Sequence, residues 1–164
     1  TVLMRIADVC LAFPGLVFAL AVAALLNGGT ISAVIALTAV SWPKYARLSR
    51  GQTLAVRQED YIAAARLSGD STLQILVRHV LPGIGSQILV TAMLDVGTMM
   101  MELAALSFLG LGARPPAAEW GSMMSGGRSM LQTWPWVVLT PGIGIFVTVA
   151  VFNLLGDALR DYLE

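Results

Sequence analysis

Residues 9–43 read V-C-L-A-F-P-G-L-V-F-A-L-A-V-A-A-L-L-N-G-G-T-I-S-A-V-I-A-L-T-A-V-S-W-P, 35 positions without an Asp, Glu, Lys or Arg. A helix needs about 20 apolar residues to cross roughly 30 Å of hydrocarbon. The run is therefore long enough for two crossings if it reverses midway, and Asn27-Gly28-Gly29-Thr30 is a turn signal at that place. Residues 129–156 form a second uncharged run, 28 long, with Trp134 and Trp136 near its start as interfacial anchors. Between them, residues 84–106 are apolar apart from Asp95 and Glu102. The pattern predicts an all-α polytopic membrane protein with helices at about 9–26, 31–47, 84–106 and 135–156.

Composition agrees with that reading. The 164 residues are 57% hydrophobic and 12% charged, whereas a soluble domain averages about 25% charged. Ten basic and ten acidic residues leave no net charge, which argues against a nucleic-acid-binding surface. Intrinsic disorder, which needs low hydrophobicity, is excluded. The single cysteine, Cys10, allows neither an internal disulfide nor a cysteine-cluster metal site. The first apolar run has no basic start or small-residue cleavage site, so it is not a signal peptide. Thr1 is not an initiator methionine, and the chain is expected to be the C-terminal piece of something longer.

Orientation follows from the cytoplasmic bias of Lys and Arg. With four crossings, residues 1–8, 44–82 and 157–164 share one side and carry eight of the ten basic residues. The turn at 27–30 and the segment 107–133 share the other side, with only Arg114 and Arg128. The expectation is a cytoplasmic 48–82 loop and C-terminus, and an external 107–133 loop.

The cytoplasmic loop is patterned. Helix formers run from Glu59 to Ser68, and Gly69 supplies a left-handed stop. Asp70 or Ser71 then caps a second helix, from Thr72 to about Val80, which Pro82 is expected to close. Ala64, Ala65, Ser68 and Gly69 give the first helix a small-residue surface that another protein can approach closely, as in helix-in-groove docking. The bland alternative is a plain helix cap at Gly69.

Ala64-Ala65, Gly69 and Leu81-Pro82 stand at the spacing of the "EAA" signature of ABC-importer permeases, with Ala63 where that signature has Glu. Further stretches carry the likeness along the chain: R-I-A-D at 5–8, Phe13-Pro14, L-S-F-L-G-L-G at 106–112, Pro115-Pro116, E-W-G at 119–121 and F-N-L-L-G-D-A-L-R-D at 152–161. Together they resemble permease subunits of the nickel/dipeptide/oligopeptide branch of binding-protein-dependent ABC importers, closest to the nickel-type second permease. The resemblance implies a six-helix permease of the bacterial inner membrane, of which this chain is the last four helices. It implies a heterodimer with a second permease, two ATP-binding subunits below and an extracytoplasmic solute-binding protein above. The coupling role toward the ATPase would fall to Tyr61, Ala64, Ala65, Arg66, Gly69, Asp70, Leu81 and Pro82. Nickel or a nickel chelate and di- or oligopeptides are the implied solutes.

Carboxylates inside a membrane are costly and normally face a bundle interior or wet cavity. Asp95 and Glu102 are seven apart and share a helix face with Met99 nearby. They are candidates for a translocation path, with a helix–helix hydrogen bond as the alternative, or for Glu102 a place near the outer interface. Met99, Met100 and Met101 point in three directions and form no single soft-metal site, and His79 alone is no metal site either. No cofactor is expected. No G-x-x-x-x-G-K-[ST] phosphate loop, H-E-x-x-H or G-x-S-x-G occurs, so ATP hydrolysis is expected in a separate subunit. A membrane anchor or assembly scaffold without a transport path is the rival reading. It leaves the intramembrane carboxylates unexplained.

Overall fold

A computed structural model describes residues 2–163, and these are helical with turns and no strand. The helices are α1 (Val2–Leu11), α2 (Gly15–Leu25), α3 (Thr30–Val56), α4 (Asp60–Leu67), α5 (Thr72–Ile75), α6 (Leu81–Phe108), α7 (Trp120–Gly126) and α8 (Trp136–Leu163). A π-helical turn, Leu76–Val80, joins α5 to α6, and a 3-10 turn, Arg128–Met130, follows α7.

The first predicted helix is corrected. Residues 9–26 do not form one rod: α1 and α2 meet at a 99° bend. Pro14 immediately precedes α2, where its fixed φ suits a helix start and its missing N–H forbids continuation from α1. At about 1.5 Å per residue, α2 covers only about half of a 30 Å hydrocarbon layer. Two helices, Thr72–Phe108 and Trp136–Leu163, are long and apolar enough to cross a membrane, and the bent α1–α2 pair makes a third if it counts as one span. Helix α3 is 27 residues long, well beyond the predicted 31–47, and Lys44, Arg47, Arg50 make its second half polar.

Reversal between α2 and α3 uses the predicted turn. Asn27 sits at φ 63° just past the end of α2. Its N–H donates to Ala24 O and the Gly28 N–H to Ala23 O, closing the helix with two bonds. Arg114 donates to the Asn27 carbonyl at 2.5 Å, and Gly29 N–H donates to Leu111 O. The turn is thereby tied to the chain leaving α6.

Pro82 does not close the second loop helix. It lies at the N-terminal end of α6, and the helix runs through it from Thr72 to Phe108. The π-turn explains the continuity. Leu81 N–H donates five residues back to Leu76 O, so the register has already shifted where proline removes a donor. The segment expected as a 48–82 loop is correspondingly mostly helical, and the 107–133 segment contains α7.

Helix α6 is central, packing on α3, α7 and above all α8. Small residues permit the approach, as is usual between membrane helices. A Cβ on Gly156 of α8 would come within 2.6 Å of Leu94 Cδ2 on α6. One apolar cluster joins α2, α3 and α6 through Ala19, Ala23, Ala36, Leu37 and Leu106. A second holds α4 to the α5–α6 helix through Ile62, Ala65, Ile75, Val80 and Ile84.

Candidate functional site

Helix α4 is short, and its C-terminal end is closed by local bonds. Leu67 is the last residue of α4, Ser68 is its C-cap and Gly69 takes φ 89°. Gly69 N–H donates to Arg66 O and Asp70 N–H to Ala65 O, the paired bonds that satisfy the last carbonyls of a helix. Only a residue tolerant of the left-handed region fits here, which glycine does without steric cost. Ser71 then starts α5 with a capping box: its Oγ accepts from Gln74 N–H, and Gln74 Oε1 accepts from Ser71 N–H at 2.7 Å.

Those restraints give α4 two unlike faces. Ile62 (1% exposed) and Ala65 are buried against α5 and α6, while Ala63, Ala64, Arg66 and Ser68 are exposed and Leu67 is 90% exposed. Ala65 therefore seats the helix, whereas Ala64 belongs to the open face. Tyr61 lies 6.2 Å from the His79 ring, centroid to centroid, and is half-exposed. Asp70 is engaged within the chain, 3.5 Å from His79 Nε2. Leu81 and Pro82 belong to the π-turn junction beneath α4 rather than to its open face. Leu73 and Val77, on the first turns after Ser71, are also exposed. The large exposed side chain at Leu67 was not singled out from sequence, although an apolar residue two before the helix-stopping glycine carried the signal.

The intramembrane candidates separate. Asp95 is 8% exposed, and both of its oxygens are engaged by neighbouring residues of α3: Lys44 Nζ donates to Oδ1 at 2.5 Å and Tyr45 Oη to Oδ2 at 2.9 Å. A buried carboxylate needs such partners, and here they tie α3 to α6. Of the two readings of Asp95, the helix–helix bond is the one the geometry displays. Met99 and Glu102 are half-buried on the same helix, and Glu102 makes no hydrogen bond or ion pair among the described residues. Met100 and Met101 line different cavities, the first beside Trp120 and the second beside Phe108. No group of three or more His, Cys, Asp and Glu lies close enough to hold a metal among the described residues.

An all-α bundle in which two helices are long and apolar enough to cross a membrane, with one short helix presenting an exposed face, has the architecture of a polytopic membrane protein. The whole of residues 1–164 matches the family described as binding-protein-dependent transport system inner membrane component, and the chain belongs to that family. It is 48% identical over 162 residues to the glutathione transport system permease protein GsiD of Shigella flexneri serotype 5b (strain 8401), covering 99% of this chain and 54% of that protein. The same protein of Escherichia coli O1:K1 / APEC is 48% identical over 161 residues, covering 98% of this chain and 53% of the relative. The chain thus spans about half the length of the curated relatives it matches.

Proposed function

We propose that this chain forms the membrane-spanning, motor-coupled part of a permease subunit in an ATP-driven, binding-protein-dependent importer. The carrying observation is α4: a capped helix, buried through Ile62 and Ala65, that offers Ala64, Leu67 and Gly69 outward. In this reading α4 sits in a groove of an ATP-binding subunit, with Arg66 at the rim. Because α5, the π-turn and α6 form one continuous helix beneath it, displacement of α4 passes directly to α6. Alternating access then shifts populations between inward-open and outward-open arrangements. ATP hydrolysis belongs to the partner, and a second permease and an external solute-binding protein complete the assembly.

The charge split supports a cytoplasmic placement of α4 and the C-terminus. Met99 and Glu102 are the proposed path-facing residues on α6, with Asp95 holding the helix pair that frames them. The relatives' name supports a small peptide, glutathione being a tripeptide, over nickel as the solute. Leu67→Asp tests the coupling in the full-length protein, assembled and reconstituted in vesicles. Leu67 touches little of its own chain, so the variant should insert normally while uptake driven by ATP falls at least tenfold. Unchanged solute-stimulated ATP hydrolysis and uptake would remove α4 from the coupling role.

A further inference from the structure

Arg5 on α1 and Arg47 and Arg50 on α3 line one cavity of about 410 Å³, with Asp8 as its only acidic lining residue and Met4 and Leu54 as apolar lining. Arg47 Nη2 binds Asp8 Oδ1 at 2.6 Å, which neutralises one of the three guanidinium groups. Arg5 and Arg50 make no hydrogen bond or ion pair among the described residues. The cavity therefore holds an excess of two positive charges. Beside it, the outer side of α1 exposes Val2, Ile6 and Val9, at 78%, 49% and 62%. A cationic cleft bordered by apolar helix surface matches a molecule with an anionic head and hydrocarbon chains.

We propose that this cavity binds the phosphodiester headgroup of an anionic phospholipid, with its acyl chains along the outer side of α1. Guanidinium forks pair two phosphate oxygens at once, and basic pockets at a membrane boundary attract anionic lipid heads. The distribution along α3 fits that depth. Its uncharged half ends at Pro43, and Arg47 and Arg50 follow within two turns. The chemistry recognised is a phosphate monoanion, and the apolar border selects the lipid over free phosphate. Asp8 both holds Arg47 in place and competes with the incoming phosphate.

The test uses the full-length protein in its assembled transporter, loaded into bilayers of equal phosphatidylglycerol and phosphatidylcholine and released for native mass spectrometry. The wild type should retain phosphatidylglycerol over phosphatidylcholine by about fivefold or more. R5Q/R50Q should bring that ratio close to one, and D8N, which removes the competing carboxylate, should raise it. Opposite responses from two variants of one cavity separate lost binding from lost folding. Equal retention of both lipids by the wild type, an unchanged ratio in R5Q/R50Q, or a fall in D8N would overturn the proposal. Displacement of the bound lipid by millimolar inorganic phosphate would assign the site to the free anion instead and overturn it as a lipid site.

Discussion

Asp95 shows how one residue can be visible in a sequence while its role is not. A carboxylate in an otherwise apolar helix stands out, but its partners Lys44 and Tyr45 lie about fifty positions earlier. Nothing local fixes which face of α3 meets α6, so spacing alone left a cavity wall and a helix–helix bond equally open. The pair also predicts an energetic asymmetry. Lys44→Met strands a buried carboxylate that retains only Tyr45, at a cost of about 1–3 kcal/mol, moderated because the Lys44 side chain is half-exposed. Lys44→Met combined with Asp95→Leu should recover most of that loss, since removing both charges removes the unpaired burial. A double-mutant cycle on unfolding of the detergent-solubilised full-length protein reads the difference, and strictly additive losses would rule out the bond. Gly69 behaves differently: a Cβ there meets nothing within 4 Å. Gly69→Ala should therefore cost only the left-handed backbone penalty, about 1 kcal/mol, on the same measurement.

Among the elements, the two faces of α4 can be separated by mutation. Ile62 is buried in the cluster with Ile75, Val80 and Ile84, so Ile62→Ala should destabilise by about 2–5 kcal/mol and loosen α4 from its base. Proteolysis of the segment between α3 and α5 reads that loosening. Leu67→Asp should leave the same digestion pattern unchanged. Close packing of α6 on α8 makes a third prediction: Gly156→Leu meets Leu94 directly and should lower the thermal stability of the solubilised protein, while a valine-sized change at exposed Leu154 should not. The helical stop at Gly69, a cap at Asp70 or Ser71 and the reversal at Asn27 were all legible because each is a short-range bonding pattern, and the structure places the cap at Ser71. The sharpness of the bend at Pro14 and the continuity through Pro82 were not legible. A proline fixes only its own φ and removes one donor, and whether the chain turns by 99° or passes through a π-turn is settled by what packs around it.

At the scale of the whole molecule, the apolar runs disclosed the class of fold, and the basic residues give an expected polarity, but neither gave the path of the chain through the bilayer. Helix α3 extends nine residues beyond position 47 because its amphipathic end packs with α1 and continues toward α4. Polarity is directly measurable in the Cys10→Ser background: a cysteine at Gln58 should react with impermeant thiol reagents only from the cytoplasmic side, and one at exposed Gln132 only from outside. The central claim, that α4 is where this family member meets its motor, is tested most directly by cross-linking. Leu67→Cys in the assembled, Cys10-free importer should form a cross-link to an ATP-binding subunit with a short bifunctional thiol reagent, and its yield should change when ATP is trapped. A Leu67 cysteine that joins no ATP-binding subunit, while the Gln132 cysteine does, would contradict it.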